Sequence, residues 1–212
     1  MKKACLIFLV FVILVGLPLR AEVINCIVAT VDGRPVTLVD VLVVVEFRLC
    51  EFQPAAGQRE IREIAARTII DRRLALRASV GFQTVEKKEV ENSLLGLKKE
   101  MGSQRFETGL ATYGLEESDL LSYLEEKISF DKLLAARFSR PPLVGRRDVE
   151  DYYHKVYAPE KRQAGIEPSS LDAVEEEIID RLQRKARDEQ VAGWLRELRE
   201  RAGIRLNSDC LK

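Results

Sequence analysis

One helical pattern near the end of the chain constrains the fold more than any other feature. It begins at a capping serine, Ser169 or Ser170, and continues without a break to Ala202. Apolar residues recur along it at helical spacing, at Leu171, Val174, Ile178 and Leu182 and then at Val191, Trp194 and Leu198. About 33 residues at 1.5 Å each make a rod of roughly 50 Å. Since the other predicted helices are shorter, none of them can match this helix along its whole length.

Shorter helices account for most of the chain before this point. They are separated by glycines, prolines and changes in hydrophobic spacing, over the ranges 38–47, 59–79, 84–101, 103–113, 116–138 and 147–157. Thr37 caps the first of them, and Asp40 completes a short capping box. That first segment is rich in β-branched residues, so a strand over the same residues is the competing interpretation.

The residues before the first helix predict a small β element. A β-prone run over 27–31 is followed by Asp32-Gly33, a favoured hairpin turn, and by a short return strand containing Pro35. Residues 204–207 alternate between apolar and polar at the other end of the chain. An isolated terminal strand needs a partner, and the hairpin is the candidate. The predicted fold class is therefore mainly α, with a small β element joining the N-terminal hairpin and a C-terminal strand.

The first 21 residues have the pattern of a secretory signal peptide. Two lysines precede an apolar run over 4–15, which is short for a membrane-spanning segment. Ala21 is the small residue after which a signal peptidase would cut. Leu19 and Arg20 fit a cleavage site poorly, so an uncleaved N-terminal membrane anchor is the alternative. We expect a periplasmic or otherwise extracytoplasmic protein.

The balance of charge narrows the class of partner. The chain has 34 basic and 34 acidic residues, and three of the basic ones lie in the predicted signal peptide, which leaves a net charge of about −3. A nucleic-acid-binding domain would instead carry a basic excess gathered on one face. Runs such as 175–177, all glutamate, are typical of solvated helix faces. We therefore expect no nucleic-acid partner.

The cysteines and the single histidine argue against the common metal and redox sites. His154 is the only histidine and there is no CxxC pair, so we expect no metal site, no thioredoxin-type site and no cofactor. Cys26, Cys50 and Cys210 remain after cleavage. If the terminal strands pair, a Cys26–Cys210 disulfide would join the chain ends. A Cys26–Cys50 disulfide and the absence of any disulfide are the alternatives that the sequence leaves open.

Pro141-Pro142 is the first clear joint in the chain and suggests a division into two parts. Residues 22–140 would form the N-terminal hairpin and a helical lobe. Residues 141–212 would form a linker, the long helix and a strand that packs back on that lobe.

Several short motifs occur in an order that one protein family shares. They are VATVDGRPVT (28–37), IIDRRLAL (69–76), the spaced series Phe106, Leu110 and Gly114, VEDYY (149–153), and the closing segment 174–206. This order resembles the N-terminal chaperone domain of SurA-type periplasmic proteins, which also occurs in PrsA- and PpiD-like foldases. The resemblance covers most of the mature chain and implies a domain that binds unfolded polypeptides.

The chain departs from this family in one important respect. In such foldases a parvulin isomerase module usually sits between the Tyr-Tyr helix and the closing helix. Here residues 155–170 occupy that place, which is too short for a folded catalytic domain. A parvulin site also uses paired histidines, and this chain has one. We therefore expect no enzymatic activity.

Apolar surface is the feature through which such a domain would bind its clients. The candidates are Phe106, Tyr113, Tyr123 and Phe130 in the lobe, and Tyr152, Tyr153 and Trp194 near the long helix. Ordinary core packing is the alternative for each of them. The sequence predicts an ATP-independent envelope chaperone that holds unfolded or nascent exported polypeptides in an apolar groove. A structural or assembly module with one dedicated partner or a second copy of the chain, and a degenerate prolyl isomerase, are the rival hypotheses.

Overall fold

The computed structural model describes residues 26–81 and 85–212. In chain order its elements are β1 (Ile27–Val31), β2 (Arg34–Thr37), α1 (Leu38–Glu46), α2 (Gln58–Ala78), α3 (Lys87–Met101), α4 (Ser103–Tyr113), α5 (Glu117–Arg137), α6 (Arg146–Tyr152), α7 (Ala158–Gln163) and α8 (Leu171–Ala202). A π-helical turn (Tyr153–Tyr157) joins α6 to α7, and a 3-10 turn (Ser208–Leu211) follows α8. The mainly α fold class with a small β element is confirmed. The predicted signal peptide and its cleavage at Ala21 lie outside the described residues.

The hairpin forms as the sequence predicts. β1 and β2 pair antiparallel, and the turn residues Asp32 and Gly33 have φ angles of 55° and 75°. Both angles lie in the left-handed region that a two-residue turn of this kind requires, which explains the Asp-Gly pair. On the outer edge of β2, the Pro35 carbonyl accepts from Arg73 Nη1 at 2.9 Å and the Thr37 amide donates to Asp40 Oδ2 at 2.8 Å. These contacts and the missing proline N–H close that edge to further strand pairing.

The predicted C-terminal strand is not part of the sheet. Among the described residues the sheet has two strands, and residues 204–207 contact β1 through one backbone hydrogen bond, from the Asn207 amide to the Val28 carbonyl at 2.7 Å. Gly203 ends α8 in a left-handed conformation, and the Asn207 side chain caps the 3-10 turn that follows. Only a few residues separate these two features, so the chain turns away before a ladder can form. The two chain ends do meet, and Leu211 is fully buried in the main core.

Helix α1 lies at the centre of the main core. Its capping box is confirmed, since the Asp40 amide donates to Thr37 Oγ1 at 3.2 Å and the Thr37 amide donates to the Asp40 carboxylate. α1 contacts β2, α2 and α4 and buries Val41, Val43 and Val44, which explains why it is apolar nearly all round. The competing strand interpretation is therefore wrong.

Helix α8 joins the main core to a second, smaller one. Its N-terminal half buries Val174 and Ile178 against Val149 of α6 and Tyr157 of the π-helical turn. Its C-terminal half packs on α2 and α5 through Trp194, Leu195 and Leu198, in a cluster that also contains Ala75, Phe130 and Leu133. The predicted long helix is confirmed at 32 residues. Within residues 26–81 and 85–212, no helix is both long enough and apolar enough to cross a membrane.

Candidate functional site

An open cleft of about 810 Å³ lies between the hairpin, α2 and α5. Its accessible apolar surface comes from Pro35 of the hairpin, Leu76 of α2 and Tyr123 of α5, whereas Val31, which also lines it, is buried. Positions three and four residues apart lie on one face of a helix, which is why Arg73, Leu76 and Arg77 line the cleft together. Ser122, Tyr123 and Glu126 line the opposite wall from α5.

Two ion pairs lie within the walls of the cleft. Arg73 Nε lies 3.3 Å from Glu126 Oε2, which joins α2 to α5, and Arg77 pairs with Asp32 at the hairpin turn. The Tyr123 hydroxyl donates to Asp40 Oδ1 at 2.6 Å. Arg34, which also lines the cleft, has no ion-pair partner among the described residues.

Burial changes the acid–base behaviour of two cleft residues. It raises the pKa of Glu126 above its ordinary value, although the Arg73 guanidinium opposes the shift. Burial and the hydrogen bond to Asp40 raise the pKa of Tyr123 well above that of a free phenol. Tyr123 therefore stays protonated and acts as a donor, since its hydroxyl proton is committed to Asp40.

Two of the predicted client-binding residues are core residues. Phe106 is fully buried and packs edge-to-face on Phe47, with ring centroids 5.7 Å apart. Gly109, one turn further along α4, lets this pair approach closely, because a Cβ there would lie 3.1 Å from Phe47 Cζ. Phe130 is 9% exposed, in the cluster beneath α8. A client could not reach either ring without a rearrangement of the fold.

The other predicted residues are half-buried and do not share one groove. Tyr113 packs against the main core, and Trp194 packs edge-to-face on Phe138 at 5.8 Å with the Arg137 guanidinium 4.6 Å from its ring. Tyr152 and Tyr153 pack against the second core. Tyr123 alone among the seven lines the cleft between the hairpin, α2 and α5, and Tyr152 lines a separate, more open cleft of about 820 Å³ along α8.

Sequence reasoning missed the apolar partners of Tyr123. Pro35 and Leu76 come from two distant segments, and nothing local marks them as one surface. The available signal was Pro35, because a proline on a return strand indicates an exposed edge.

The structure pairs two of the three described cysteines. Cys26 and Cys210 form a disulfide, with Cα atoms 6.1 Å apart, and Cys50 is free. Cys50 lies beside the buried Arg72, whose Nη2 donates to the Leu49 carbonyl, and burial raises the pKa of the Cys50 thiol. In the part of the chain that the structure describes, no group of three or more histidine, cysteine or acidic side chains is placed to hold a metal ion.

Comparisons with protein-family models, with curated proteins and with solved structures find no match to this chain. The resemblance to the SurA-type chaperone domain therefore rests on the sequence motifs alone.

Proposed function

We propose that the protein is an ATP-independent chaperone of the cell envelope that binds unfolded exported polypeptides in the cleft between the hairpin, α2 and α5. The observation that carries the proposal is the pairing of charges within the cleft walls. Because Arg73–Glu126 and Arg77–Asp32 are already paired, Arg34 is the one arginine of the lining without an ion pair among the described residues, and a client need supply little matching charge. Its contribution is apolar contact with the surface formed by Pro35, Leu76 and Tyr123.

Such a cleft would tolerate many sequences but bind each of them weakly. Addition of a client strand would give tighter recognition of the backbone. The outer edge of β2 is unsuited to it, because Pro35 has no N–H to donate and because the Pro35 carbonyl and the Thr37 amide already form hydrogen bonds within the protein. A client would therefore gain its affinity from side chains that enter the cleft. In this proposal the protein makes and breaks no covalent bond, and clients leave by dissociation.

The test is suppression of aggregation. An exported protein, unfolded in urea, is diluted into buffer that contains no nucleotide, with and without the chain beginning at Glu22, and light scattering is followed. Ser122→Trp fills the mouth of the cleft from an exposed position on α5. We expect the wild type to suppress scattering and Ser122→Trp to lose most of that effect while its circular dichroism stays unchanged.

The control is Ala135→Trp, which places the same side chain at an exposed position of α5 that does not line the cleft. It should behave as the wild type does. Equal activity of Ser122→Trp and Ala135→Trp would show that the cleft is not the binding site. No suppression at several-fold molar excess, or one tight stoichiometric complex with a single partner, would refute the chaperone proposal in favour of a dedicated assembly module.

A further inference from the structure

The loop between α5 and α6 presents an unprotected apolar tip. Leu143 is completely exposed, although both ends of the loop are held: Phe138 packs on Trp194, and Val144 packs against the second core. Leu143 therefore projects from an anchored loop rather than from a loose one. Pro141, two residues earlier, is also exposed.

Unpaired arginines lie beside the first half of this loop. Arg184 and Arg187 of α8 line a cleft of about 230 Å³ together with Phe138, Pro141 and Pro142, and Asp180 is the one acidic residue in its lining. Arg140 lies between Ser139 and Pro141, which both line the same cleft. Arg140, Arg184 and Arg187 have no ion-pair partner among the described residues, whereas many other exposed charges of the chain do.

We propose that this surface, formed by residues 138–143 and by Arg184 and Arg187, docks on an anionic lipid membrane. Guanidinium groups stay charged at any physiological pH and are attracted to an anionic lipid surface. Leu143 would enter the boundary between headgroups and acyl chains, where one apolar side chain adds to electrostatic binding. The inference does not depend on the client cleft, which lies between the hairpin, α2 and α5.

The composition of this surface favours a membrane over an acidic protein. A stable protein interface buries about 800 Å² on each partner around a desolvated apolar core. Here Leu143 is the one large apolar side chain on the surface that is exposed, so such a core is lacking. A peripheral membrane contact needs no more than an apolar tip and several unpaired cations.

The test is co-sedimentation with vesicles at low and raised salt. The chain beginning at Glu22 contains every described residue and omits the apolar segment 4–15, so that segment cannot contribute. We expect binding to vesicles of phosphatidylglycerol and phosphatidylcholine, little binding to phosphatidylcholine alone, and weaker binding at raised salt. Arg184→Gln/Arg187→Gln should weaken partitioning by up to about 25-fold, about fivefold for each charge.

Matched variants separate this surface from general effects. Leu143→Ser should weaken binding several-fold, whereas Val80→Ser, which changes a side chain that is 92% exposed on another surface, should not. Arg67→Gln/Arg196→Gln removes two exposed arginines elsewhere and should have a much smaller effect than the α8 pair.

Three results would overturn the proposal. They are the absence of vesicle binding, equal binding to neutral and anionic vesicles, and equal losses in the Leu143 and Val80 variants. If vesicle binding is absent, binding to polyglutamate would identify an acidic polypeptide as the partner. Because the aggregation assay contains no lipid, its outcome is independent of these results.

Discussion

Reduction of the Cys26–Cys210 disulfide should destabilise the protein strongly. The two cysteines are 184 residues apart, so the bond closes a loop that contains nearly all of the described residues. Because a disulfide restricts the unfolded chain, a loop of that length adds about 5 kcal/mol to the free energy of unfolding in the loop-entropy treatment. With an m-value of roughly 2.5 kcal/mol/M in urea, the unfolding midpoint should fall by about 2 M.

The assay is urea unfolding followed by circular dichroism, with and without a reductant. Cys210→Ser should have the midpoint of the reduced wild type in both conditions, because it removes the bond while leaving Leu211 and the contact between Asn207 and Val28 in place. Cys50→Ser serves as the control and should keep the full response to the reductant, since Cys50 is free. This reasoning would be refuted if the unfolding midpoint of the wild type did not change when the reductant is added, or if peptide mapping found a disulfide between Cys26 and Cys50.

Two further predictions concern the core and the cleft. Phe106→Ala should lower the free energy of unfolding by about 3–5 kcal/mol in urea titration, because it leaves a cavity beside Phe47; a loss below about 1 kcal/mol would contradict the burial of this ring. Burial raises the pKa of Glu126, so the folded state binds its proton more tightly than the unfolded state does. The stabilising contribution of Glu126 to the free energy of unfolding is therefore fully present below its pKa in the unfolded state. It is lost as the pH rises through its pKa in the folded state. Relative to Glu126→Gln, the wild type should lose stability as the pH rises above the ordinary glutamate pKa of about 4, and parallel pH profiles of the two proteins would contradict this.

Local sequence signals predicted the elements that local interactions decide. Thr37 and Asp40 satisfy each other's backbone amides, and the left-handed turn suits Asp32-Gly33, so both features follow from a few adjacent residues. The spacing of apolar residues likewise predicts the 32-residue helix α8. The helix predicted to end near Tyr157 instead continues through a π-helical turn to Gln163. Packing of Tyr157 into the second core helps to hold the chain helical beyond this point, and the spacing of apolar residues does not predict that contact.

The sequence predicted the candidate site much less well than it predicted the fold. The sequence indicates Tyr123 as an aromatic residue that could contact a client, but it indicates Phe106 and Phe130 equally, and these two are buried. An aromatic residue in an amphipathic helix has the same spacing whether its neighbours cover it or leave it open. The difference depends on where α8 and α1 pack, and those contacts are distant in sequence.

The sequence by itself determined a mainly helical chain with an N-terminal hairpin and one helix much longer than the rest, because capping, turn chemistry and hydrophobic spacing act over a few residues. Only the tertiary structure decided that α8 bridges two cores and that residues 204–207 leave the sheet after one hydrogen bond. It also selected one of the three cysteine arrangements that the sequence left open. These outcomes depend on which distant surfaces come together. The free energy of such contacts comes from residues far apart in the chain, so no local sequence pattern predicts it.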